Sequence, residues 1–114
     1  MKPIIIKNSR VPALVSWFFP VAAITLWPFI FVRKDHDSPR LLNHEAIHIH
    51  QYNEMLVLGF LLVYIYDWAI GLIKYRDAKM AYLSIRFEQE ARHNDANEVY
   101  LERRKPYSWR EFTV

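Results

Sequence analysis

The sequence predicts an α+β fold: a short N-terminal β-hairpin or small sheet, then about three helices, in a single domain over residues 1–114. Three observations predict it. The first 35 or so residues are rich in β-branched and aromatic side chains and are punctuated by Pro12, Pro20 and Pro28, which favours extended chain over helix. Between Pro39 and Pro106 there is no proline, and apolar residues recur at helical spacing. With 114 residues, 53% of them hydrophobic, and four Trp, seven Tyr and seven Phe, the chain can build one core and has little left for a second.

Taken in order, the first element is a short strand near residues 4–7. One or two more strands fall within 21–33, where Ile24-Thr25-Leu26-Trp27 and Phe29-Ile30-Phe31-Val32 have strand composition. Pro28 between them belongs at an edge or a bulge, because it cannot donate to a ladder. Lys2, Lys7 and Arg10 precede the apolar run 11–32, a charge layout shared with signal anchors. The three prolines argue against a straight membrane helix there.

A helix begins at Pro39. Ser38 is a favourable N-cap, and proline suits the first helical position. Its first turns carry His44-Glu45-Ala46-Ile47-His48. Residues four apart share a helix face, so His44 and His48 point at one metal ion. Glu45 lies beside the pair, placed to take a proton from a water at the metal. The chain has no cysteine, so thiolate sites are excluded and a Zn2+ ion must be held by histidines and carboxylates. Gln51 shares the histidine face, whereas His50 lies off it.

Residues 55–73 form an apolar run interrupted only by Asp67, long enough for a membrane span, with Tyr64, Tyr66, Trp68 and Tyr75 as interfacial aromatics. Geometry speaks against a straight span. From His48 to a turn at 74–79 the outward arm is roughly 40 Å, while the return to Glu88 is roughly 15 Å. The helix is therefore expected to bend, near Gly59, and to pack on the core with one face left for a membrane surface or a partner, including a second copy of the chain. A last long helix, 78–104, places Ala81, Ser84, Glu88, Ala91 and Asp95 on one face. Its small residues allow close approach to the motif helix, which makes Glu88 the expected third metal ligand. Glu90 lies about 200° away around the helix and is read as solvent-facing. Arg103-Arg104-Lys105 reads as a solvated helix end. A net charge of +3 without an aromatic-laced basic face gives no indication of nucleic acid as a partner.

With these motifs the chain resembles the gluzincin metallopeptidases, most nearly the very small single-domain minigluzincins. It also looks like short bacterial proteins of the same element order. Gluzincins carry His-Glu-x-x-His on one helix and a glutamate ligand on a later one, often as Glu-x-x-Ala-Asp. Here Glu88-Gln89-Glu90-Ala91 matches the first four positions, and Arg92 stands in place of the aspartate. The resemblance implies His44, His48 and Glu88 as zinc ligands and Glu45 as general base. It also implies a peptide or protein substrate, held by strand addition to the strand ending near Val32. Asp95 or Asn94 would take over from the missing aspartate.

The function expected is thus a zinc-dependent hydrolase, a small metallopeptidase that could be held latent by Pro106-Tyr107-Ser108-Trp109 lying across its cleft. His93, Tyr100 and Tyr107 are the candidate oxyanion donors. The alternatives are a non-catalytic zinc-binding module, associated with a membrane or with itself, and a dimeric di-iron protein. The last would use Glu45-x-x-His48 and Glu90-x-x-His93. The sequence fixes no compartment; a cytoplasmic or membrane-peripheral place is favoured over an integral one.

Overall fold

The computed structural model describes residues 4–10, 12, 23–33 and 38–114, so half of the run with the look of a signal anchor, 11 and 13–22, lies outside the described residues. The architecture is α+β, with a three-stranded sheet followed by helices. Strands β1 (Ile4–Ser9), β2 (Ala23–Leu26) and β3 (Phe29–Arg33) are ordered β1-β3-β2. β3 pairs parallel with β1 and antiparallel with β2. The strand expected to offer a free edge, the one ending near Val32, is therefore the central strand. Among the described residues β2 is an edge instead: the chain turns at Trp27-Pro28 and β3 lies between the other two strands. Alternation puts Ile30 and Val32 on the covered face, where they pack with Ile49, Leu41 and Leu42 of the first helix.

That helix, α1 (Pro39–Tyr75), starts where the sequence places it: Ser38 is the N-cap and its side chain accepts from the Leu41 N–H. It is not continuous. Leu56 sits at φ 58° and ψ 166°, outside helical geometry, and divides α1 into residues 39–55 and 57–75. The turn is sharp. Tyr52 and Phe60 stack with ring centroids 3.7 Å apart, whereas eight residues of straight helix rise about 12 Å. The bend expected near Gly59 thus falls three residues earlier, at a leucine. Gly59 itself meets nothing but Met55, so no close approach calls for a glycine there.

Arg76, at φ 52°, closes α1 by donating to the Leu72 carbonyl, and Asp77 caps α2 (Ala78–Ser84) by accepting from the Met80 N–H. The region expected as one helix over 78–104 is three: α2, α3 (Arg86–Asn94) and the short α4 (Tyr100–Arg103), with a 3-10 turn at Ser108–Glu111. Glu88 therefore lies on α3 and not on the final helix. Ile85 leaves helical geometry at ψ 129° and offers α3 no capping side chain. Asp67 of α1 supplies the cap: its carboxylate accepts from the Arg86 N–H at 3.1 Å and from the Arg86 guanidinium twice at 2.9 Å.

The return leg runs antiparallel to α1. Gly71 lies against α2 so closely that a Cβ there would stand 2.7 Å from Ser84 Oγ and 2.8 Å from Ala81 Cα, which is why small residues line this crossing. Further along, Asp67 meets Arg86, Tyr64 meets Glu88, and Asp95 reaches back to His44 and Arg40. The bend at Leu56 is what lets a short return leg follow a long outward one. A stack of Tyr52, Phe60, Phe87 and Trp109 fills the angle between the two halves of α1.

Candidate metal centre

Helical spacing and the α1–α3 packing bring His44, His48 and Glu88 together. One ligand atom from each lies within 4.8 Å of the others, and all three residues are buried. His44 Nε2 is 3.2 Å from Glu88 Oε1, and His48 Nε2 is 3.0 Å from Glu88 Oε2. Both imidazoles are held from behind. His44 Nδ1 donates to Asp95 Oδ2 at 3.0 Å, and His48 Nδ1 donates to Gln51 Oε1 at 2.7 Å. Asp95 and Gln51 each accept from Nδ1, which leaves both Nε2 atoms directed at the Glu88 carboxylate between them. This donor set fits a zinc ion: two imidazoles and one carboxylate converge in a buried site, and an ion there would take the place of the Nε2 protons that face Glu88.

The charges are consistent with that arrangement. Burial would pull His48 down, but the Glu88 carboxylate facing it outweighs burial and pushes it up to about 9. Burial would likewise raise Glu88, yet His48 and His44 hold its carboxyl well below the usual carboxylate range. A carboxylate without a cation in this position would be costly.

Glu45 is also buried. Thr25, on edge strand β2, donates its hydroxyl to Glu45 Oε2 at 2.6 Å. The Glu45 charge is close enough to help raise His48. Thr25 is thus a site residue that reading along the chain missed; it lies 20 residues away on another element and carries no motif. Tyr64 was missed as a site residue too. Its hydroxyl donates to Glu88 Oε2 at 3.0 Å, and burial followed by the Glu88 charge raise its pKa well above the ordinary value. The expected oxyanion donors lie elsewhere: the Tyr100 hydroxyl donates to Glu90, Tyr107 faces Glu54, and His93 is exposed beside Phe112.

Two readings of the polar residues are corrected. Glu90 is fully buried rather than solvent-facing. It does point away from Glu88's side of the helix, but α4 and its following residues cover that side. Gln51 Nε2 donates to Glu90 Oε1 at 3.0 Å, Tyr100 donates to Oε2 at 2.7 Å, and Arg104 bonds both carboxylate oxygens. Arg104, read as part of a solvated helix end, is instead buried between Glu90 and Glu54. This network holds Gln51, which in turn holds His48. It also separates Glu90-x-x-His93 from the metal cluster.

Asp95 stands behind His44, as the resemblance would require of Asp95 or Asn94, and it also accepts from Arg40 Nε at 2.8 Å. Arg92 lies outside, over the Tyr82 ring. The C-terminal tail is part of the core. Trp109 is buried edge-on against Phe87 under the Arg86 guanidinium, with its indole N–H unpaired among the described residues. Comparison of the chain with family models, with curated proteins and with solved structures finds no match.

Proposed function

We propose that the protein is a zinc-dependent hydrolase, a small metallopeptidase of the gluzincin type. His44, His48 and Glu88 hold the ion, and Glu45 is the general base. The observation that carries this reading is the convergence of the three ligand atoms within 4.8 Å, with both Nδ1 positions tied outward by Asp95 and Gln51. A bound zinc would supply Lewis acidity to a substrate carbonyl and to water. The chain's own residues do the rest. Glu45, oriented by Thr25, takes a proton from the attacking water and returns it to the leaving amine. Edge strand β2 carries Thr25, so a peptide pairing with β2 would run directly beside Glu45. Tyr64, whose hydroxyl stays protonated and donates to Glu88 Oε2, holds the ligand carboxylate in place.

The test is hydrolysis of a peptide library by the zinc-loaded full chain. Removing the tail would take Trp109 out of the core, so truncation is not a clean way to open the site. Glu45→Gln is expected to keep its zinc and its fold and to lose about 10²–10⁴ in rate. A zinc-loaded wild type that cleaves nothing, or a Glu45→Gln variant as active as wild type, sinks the peptidase reading and leaves a non-catalytic zinc-binding module.

A further inference from the structure

The second half of α1 is the wrong way round for a helix in water. Leu58, Leu61, Leu62, Ile65, Tyr66 and Ile73 are all exposed, Leu58 at 70% and Ile73 at 79%. The one charged side chain between Leu56 and Ile73 is Asp67, and it is turned fully inward onto Arg86. At 100° per residue the exposed apolar positions cover about half the helix circumference along about 27 Å. Protein interfaces are bordered by polar residues. Among the described residues, the polar side-chain atoms on this arc are the Tyr66 and Tyr75 hydroxyls and the Trp68 indole N–H, which donates to the Ala78 carbonyl.

Charge distinguishes the candidates further. Cations flank the arc at both ends. Lys74, Arg76 and Lys79 are exposed at one. Arg103 and Lys105 are exposed at the other, brought near Leu56 by the Arg104–Glu54 ion pair and by the Tyr107 N–H on the same carboxylate. Of the nearby acids, Glu54 is engaged in that pair and Asp77 as a helix cap; Glu102 is exposed beside Arg103, and Lys74 Nζ donates to the Val114 main-chain oxygen at 3.2 Å. α1 is long and apolar enough to cross a bilayer, but its neighbour argues for a shallower position. α3 flanks the middle of this half through Tyr64–Glu88 and Asp67–Arg86, and its outer side carries Arg92 and His93, both exposed. A crossing orientation would bring those side chains into the hydrocarbon.

We propose that residues 57–75 lie along the surface of an anionic lipid bilayer, with the Leu58–Ile73 face dipped below the headgroups and the flanking lysines and arginines on the lipid phosphates. This inference is independent of the zinc chemistry: Tyr64 and Phe60 on the inner side of this half reach the metal centre, whereas the exposed side chains that would enter the lipid do not.

The test is flotation of the purified full chain with vesicles of phosphatidylcholine alone and of phosphatidylcholine with 30% phosphatidylglycerol. Wild type is expected to float with the anionic vesicles, less with the neutral ones, and less as salt rises. The combined Leu58→Glu, Leu62→Glu, Ile65→Glu variant is expected to lose at least about tenfold in bound fraction. Its helical circular dichroism and metal content should be unchanged, since these side chains point away from the core. Lys74→Gln with Lys79→Gln should lower binding to the anionic vesicles only. A wild type that leaves both vesicle types alone overturns the proposal. So does a lipid-free dimer in light scattering that the triple-glutamate variant converts to monomer, because a second copy would then cover the face. Labelling of Lys74 and Lys105 from opposite sides of a sealed vesicle would overturn it in favour of a span.

Discussion

The two halves of α1 obey opposite rules. In residues 39–55 the buried side chains include His44, Glu45, His48 and Gln51, all polar. In residues 57–75 the exposed side chains are almost all apolar. Hydropathy alone would put the second half inside and the histidines outside. The inversion teaches where each half gets its stability. Polar groups are tolerated inside the first half because every one has a partner: Asp95, Gln51, Thr25 or Glu90. The second half rests on a narrow inner strip, Phe60, Tyr64, Asp67 and Gly71, and leaves its other apolar side chains exposed.

The largest effect expected from breaking this contrast is at Arg104. Arg104→Met leaves Glu90 and Glu54 facing each other without their cation, and removal of one partner of a buried ion pair costs about 3–5 kcal/mol. Chemical denaturation of wild type and variant measures it, and metal affinity should fall as well, because Gln51 loses its support. A cost below about 1 kcal/mol would mean the network does not brace the first half.

A pair of truncations sharpens the same comparison. Ile47 is fully buried and Leu58 is 70% exposed. Ile47→Ala is expected to cost about 2–5 kcal/mol, and Leu58→Ala to stay within about 0.5 kcal/mol in lipid-free buffer. Equal costs would mean that the second half packs more tightly than its exposure indicates.

Acid should discriminate more gently. Burial opposes ionisation of Glu90, but Arg104, Gln51 and Tyr100 bond the charged form and depress its pKa below the ordinary 4.5. A depressed carboxylate contributes stability above its unfolded-state value and loses it as pH falls through the folded-state value. Unfolding free energy should therefore hold from neutral pH down to about 4.5 and decline below it. Glu90→Gln should lower stability at neutral pH and flatten that decline. An unchanged acid limb would assign the decline to other carboxylates.

Much of this was legible along the chain because it is local. The Ser38 cap, the four-residue histidine spacing and the small-residue face around Glu88 each depend on one element's own periodicity. The outward and return lengths also required a bend. Its location was not legible, since Leu56 takes a positive φ with neither glycine nor proline to signal it. Ile85 likewise ends a helical pattern with no breaker in sight. The remaining misreadings have one cause. Glu90, Arg104, Thr25 and Tyr64 gain their roles from partners 10 to 50 residues away on other elements. A helical wheel gives the direction of Glu90; it does not say that α4 folds back to cover it.

The central claim is the three-residue centre, and metal content by mass spectrometry tests it most directly. Wild type is expected to carry one zinc per chain after dialysis against a weak chelator. His44→Ala, His48→Ala and Glu88→Gln should each lose it, while Glu45→Gln retains it. Full zinc retention in Glu88→Gln, or a wild type that takes up no zinc, would contradict the account.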